Sequence, residues 1–215
     1  MTAPSAAREE EESRSTGRVE AFSDGVFAIA ITLLVLDLKV PAPATLGTAP
    51  LGPALARQWP TFLAYLASFA TILVMWVNHH RMLDHLRHAD GAFLFLNGLL
   101  LLFVTFVPFP TSLVADYLLL PQGRTAALIY AGTYVALAIA FNLVWSYATG
   151  DERLLLRSTD RARVRALSRQ YRTGPALYVA ALLVAFWSAP ASFLFCLLLA
   201  VYWAFSGALA VFSRD

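Results

Sequence analysis

Six apolar stretches, each close to the twenty or so residues that a helix needs to cross a hydrocarbon core, leave this chain little choice of environment. They fall at 18–38, 59–77, 92–114, 125–147, 174–189 and 190–212, the fifth being the shortest. Of the 215 residues, 59% are hydrophobic and only 14% are charged, against about 25% charged in soluble domains. Inside a bilayer every backbone N–H and C=O needs an internal partner, which an α-helix supplies. The expected fold is an all-α polytopic membrane protein with six transmembrane helices in one domain, 18–212. Residues 1–17 are polar and acidic with no apolar centre, and read as a disordered tail rather than a signal peptide. Residues 213–215 form a short C-terminal tail. Pro108 and Pro110 are expected to end or kink the third span, because proline removes a backbone donor. Pro190 places a tight turn between the last two spans.

The basic residues set an orientation. With the N-terminus inside, the inner side holds Arg8, Arg14, Arg18, Arg81, Arg87, seven arginines from Arg153 to Arg172, and Arg214, making 13; Lys39, Arg57 and Arg124 make 3 outside. This asymmetry puts both termini in the cytosol. The linker 148–172 mixes Leu154, Leu155, Leu156, Val164 and Leu167 with its arginines. It is expected to form a short amphipathic helix on the inner membrane surface, attracted to anionic lipid. No nucleic-acid partner is expected. The single cysteine, Cys196, cannot form an intrachain disulfide and reads as a packing residue.

The first span carries the most informative string, RVEAFSD at 18–24, running into GVFAIAITLLVLDL. At about 100° per residue, Ile29, Thr32, Leu33 and Leu36 share one helix face, while Ser23 and Asp24 point to the opposite side. At the same depth the second span brings Trp76, His79 and His80, spaced i, i+3, i+4. The third brings Asn97 and the fourth Asn142 and Trp145. Two readings follow. One is an interhelical hydrogen-bond belt holding the first helix against its neighbours, which is preferred. The other is a proton relay or cation site built on Asp24 and a histidine, since intramembrane ionisable groups are functional candidates. Periodicity alone would make the aliphatic row a lipid-facing or bundle-packing face.

The string Arg18-x-x-x-Phe22-Ser23-Asp24, the aliphatic helix behind it and the Trp76-x-x-His79 pattern resemble the transmembrane protein 175 family of potassium channels. The resemblance is strongest over 18–40 and looser across the chain. It implies a homotetramer with the first helices around a central pore, a leak-type K⁺ conduction path in the cell membrane, and no cofactor beyond the permeant K⁺. It also implies conduction without a TVGYG filter loop; the nearest string here, Gly132-Thr133-Tyr134, lies within a span. By this resemblance Ile29, Leu33 and Leu36 form the hydrophobic constriction and Thr32 contributes to K⁺ selectivity. Arg18, Phe22, Ser23 and Asp24, with Trp76, His79, His80 and Asn97, form a structural network rather than ion ligands.

Other classes rank lower. A proton-coupled secondary transporter using Asp24 and the histidines of the second span is the alternative, although paired repeats and matching broken helices are missing. His80, Asp84 and His88 fall at i, i+4, i+8 in HHRMLDHLRHAD and are weak metal candidates if the second helix continues that far. They spread over about 12 Å, too far to converge on one ion, so no metal is expected. The Ser23–Asp24 pair has no nucleophile elbow around it, and no enzyme activity is expected.

Overall fold

Proline and glycine set most of the helix boundaries in the computed structural model, which describes residues 3–150, 154–156 and 161–212. Helix α1 (Ala3–Leu33) passes into a short 3₁₀ turn, Leu34–Asp37. It begins well inside the tail expected to be disordered. Alanine, glutamate and arginine are strong helix formers, and a helix already nucleated in the first span extends back through them. The proline-rich connection holds two short helices, α2 (Pro43–Leu46) and α3 (Leu51–Ala56). Gly47 closes α2 with φ of 57°, a conformation that costs glycine nothing. Pro60 opens α4 (Trp59–Leu83), and His80 and Arg81 in its last turn oppose the helix dipole.

Asp90 caps α5 (Gly91–Phe106): its Oδ1 accepts the Phe93 N–H at 2.8 Å. The third span breaks at Val107, as the prolines predict, and resumes as α6 (Pro108–Tyr117). A tight turn leads to α7 (Gly123–Gly150). A Cβ on Gly123 would lie 2.5 Å from the Leu118 carbonyl oxygen, so only glycine fits that turn.

The fifth helix departs from expectation. It is α8 (Arg161–Val184), running without interruption from arginine-rich to apolar sequence, and the hairpin before α9 (Ala189–Phe212) lies at 185–188. Pro190 is therefore the second residue of α9, where its missing N–H is harmless. The linker 148–172 is likewise not one amphipathic surface helix. Its first part belongs to α7 and its last to α8, while Leu154 is buried. Between them, Leu156 N–H donates to His85 O and Arg87 N–H to Leu154 O, pinning 154–156 onto the α4–α5 connection. Arg153 and Arg157 lie outside the described residues.

Among the described residues four helical segments are long and apolar enough to cross a membrane: Thr16–Asp37, Trp59–Leu83, Gly91–Tyr117 and Gly123–Gly150. Ala189–Phe205 is apolar but shorter. Helix α7 is the centre of the bundle, packed by α5, α6, α8 and α9, and it contributes Tyr130, Tyr134, Leu137, Phe141 and Val144 to the core. Buried hydroxyls cross this core. Ser68 Oγ lies 2.7 Å from Thr111 Oγ1 and 3.1 Å from the Tyr130 hydroxyl, tying α4, α6 and α7 together. Pro175 inside α8 leaves the Tyr171 carbonyl, four residues earlier, without its helical donor. Asn142 Nδ2 from α7 fills the vacancy at 2.9 Å. In contrast to α7, helix α1 packs mainly on α4 and α5 among the described residues.

Candidate functional site

Helix α1 and the 3₁₀ turn that continues it have two unlike faces. Ser23, Phe27, Ala30 and Leu34, at i, i+4, i+7 and i+11, are buried against α4 and α5. Facing away are Ile29 (59% exposed), Leu36 (72% exposed), Leu33 and Thr32. The Thr32 hydroxyl donates to the Ile29 carbonyl at 2.9 Å, so its oxygen lone pairs remain free to face outward. At the far end Ser112 Oγ of α6 donates to Asp37 Oδ1 at 2.7 Å, tying down the 3₁₀ turn that continues α1.

The buried face carries the polar belt. Asn97 Nδ2 donates to Ser23 Oγ at 3.0 Å, and Asn97 Oδ1 lies 2.7 Å from His79 Nε2. An amide oxygen only accepts, so the proton sits on Nε2 of His79. Ser23, His79 and Asn97 are all buried, and the Phe27 ring packs on His79 at a centroid distance of 5.4 Å. Beside this chain of bonds, Trp76 Nε1 donates to Asp24 Oδ1 at 2.8 Å. Three helices are thereby joined at one level, and neither motif side chain points to the aliphatic row.

Several expected members sit elsewhere. Phe22 is 66% exposed and takes no part in the belt. Arg18 is exposed, and the Glu20 carboxylate that could have paired with it lies 2.8 Å from His80 Nδ1. Asn142 and Trp145 turn to α8, where Trp145 Nε1 donates to Ser168 Oγ at 2.8 Å. Helix α4 ends at Leu83, so His80, Asp84 and His88 do not form a stripe. Glu20 was missed, although its phase, about 180° from Ile29, puts it on the belt side.

The cap at Asp90 closes the belt end of α5. The Phe93 N–H above all, and the Tyr147 hydroxyl at 2.7 Å from Oδ2, hold its carboxyl below the usual carboxylate range. A depressed folded-state pKa contributes stability above the ordinary carboxylate value, lost as pH falls through the folded one. Asp90→Ala is expected to cost about 1 kcal/mol at neutral pH. That difference should shrink in acid, as thermal unfolding in detergent at the two pH values will measure.

The apolar helices, the polar belt and the unpartnered face of α1 define an α-helical integral membrane protein. A family model described as "Endosomal/lysosomal potassium channel TMEM175" matches residues 18–108, which hold α4, α5 and the membrane part of α1. A potassium channel of Chamaesiphon minutus is 53% identical over 193 residues, covering 90% of this chain and 95% of that protein. The chain belongs to the TMEM175 family. A potassium channel of Streptomyces collinus is 43% identical over 192 residues, covering 89% of this chain and 92% of that one. The fold agrees with the crystal structure of a lysosomal potassium-selective channel TMEM175 homolog from Chamaesiphon minutus. The TM-score is 0.82 at 52% identity, over 89% of this chain and 97% of that one.

Proposed function

We infer that this chain is a potassium channel, not an enzyme, with K⁺ as the permeant ion and no cofactor. The observation that carries the reading is the kinship over nearly the full length of potassium-channel relatives. The exposed row of α1 supplies the pathway. A single helix cannot enclose a pore, so copies of the chain, four by family resemblance, place their α1 helices around one axis. Ile29, Leu33 and Leu36 then form aliphatic rings that gate by dewetting. A ring of Thr32 hydroxyls offers outward lone pairs to a partly dehydrated cation. The belt of Ser23, Asp24, Trp76, His79 and Asn97 holds α1 so that this row faces the axis.

With the six apolar stretches taken as crossings, the arginine asymmetry supports both termini in the cytosol. The arginines between Arg153 and Arg172 favour anionic lipid there. Purified protein in liposomes is expected to pass K⁺ down its gradient with no coupled substrate, and Thr32→Ala to weaken discrimination of K⁺ from Na⁺. Flux that appears only under an imposed proton gradient would favour the coupled transporter instead.

A further inference from the structure

We propose that Glu20, Asp24 and His80 form a binding site for one borderline divalent transition-metal ion of the Zn²⁺ class, bridging α1 to α4. One ligand atom from each, all within 4.8 Å of one another, converges at the belt end of α1. Glu20 and Asp24 lie one turn apart on the same helix face, and His80 reaches across from α4. Tetrahedral Zn²⁺, with bonds of about 2.0–2.1 Å, separates its ligand atoms by about 3.4 Å. The spacing now present brackets that value. His80 Nδ1 stands 2.8 Å from Glu20 Oε1 and no pair exceeds 4.8 Å, so small side-chain rotations seat an ion.

The donor set matches the metal. An imidazole nitrogen with two carboxylates suits Zn²⁺ and its neighbours better than Mg²⁺ or Ca²⁺, which take all-oxygen shells. Three protein ligands leave a fourth position for water. His80 Nδ1 is shielded from solvent and faces Glu20 Oε1 at 2.8 Å, so two of the three ligand atoms already point at each other. The His80 side chain as a whole is 45% exposed and that of Glu20 32%, which gives an ion a way in. Support around the ligands is already built. Trp76 donates to Asp24 Oδ1 and stacks its ring on that of His80 at 6.0 Å, orienting two of the three ligands, as outer partners of metal sites do.

The test is binding to the purified, tag-free full-length chain in detergent, which does not depend on conduction. After removal of adventitious metal with a chelator, calorimetric titration with ZnCl₂ should show one saturable Zn²⁺ per chain. Co²⁺ in its place should give the visible absorption of a tetrahedral site. Glu20→Gln should weaken Zn²⁺ at least about tenfold and abolish the rise in thermal midpoint that bound Zn²⁺ gives the wild type. His80→Asn should do the same, and His88→Asn and Asp84→Asn should leave binding unchanged. Glu20 lies outside the Ser23–Asn97–His79 chain of bonds, so its variant remains decisive if His80→Asn misfolds. Absence of saturable Zn²⁺ uptake by the wild type, or undiminished binding by Glu20→Gln, would overturn the proposal.

Discussion

Asn97→Ala is expected to destabilise the protein by about 2–3 kcal/mol. Asn97 is the middle of a three-helix chain of bonds, accepting from His79 and donating to Ser23. Interhelical hydrogen bonds in membranes are worth about 0.6 kcal/mol on average and at most about 1.7, so two lost bonds alone give about 1 kcal/mol. The rest comes from what remains. The His79 Nε2 proton and the Ser23 hydroxyl are left buried without partners, and each such group costs about 1–3 kcal/mol if nothing replaces the bond. Ser23→Ala removes one bond and strands one buried group, the Asn97 Nδ2 donor, and should cost less than Asn97→Ala, about 1–1.5 kcal/mol. Equilibrium unfolding in detergent compares the two. Equal losses would mean that the belt does not act as a connected unit.

Ile29→Asn should leave folding almost untouched and raise background K⁺ flux through liposomes at least about tenfold, which corresponds to about 1.4 kcal/mol off the barrier. The two halves have separate grounds. Ile29 is exposed within the chain, so its loss removes little packing from the fold, and surface substitutions usually stay within about 0.5 kcal/mol. In an assembly around α1, an amide in each copy would turn a dry aliphatic ring into one that holds water. Unchanged flux at equal incorporation would remove α1 from the conduction path.

The apolar runs and the helical phase of α1 made the bundle and its two-faced first helix legible. The side of α1 that carries Ser23 and Asp24 can be read from phase, which is local, fixed by about 100° per residue. Choosing their partners was harder, since Asn97 and Asn142 stand at similar depth. What decided between them was Pro175, whose missing N–H recruits Asn142 to α8, a link across 33 residues that no local pattern reveals. The full extent of α8 is not legible in the same way, because hydropathy locates the apolar half of a helix only. Helix propensity carries the arginine-rich half, Arg161–Arg172, in the same backbone ladder. Glu20 was legible by phase yet was passed over in favour of its motif neighbours.

The first span is fastened at two levels, by Ser23 and Asp24 within α1 and by Asp37 at the end of the 3₁₀ turn that follows it. Between these ties the buried stripe packs inside the chain while the outward row stays exposed. Mutations can therefore accumulate on the outward row without first passing a test of foldability, while the buried stripe admits few. Descendants of such a chain can drift in what they let through while inheriting one scaffold intact.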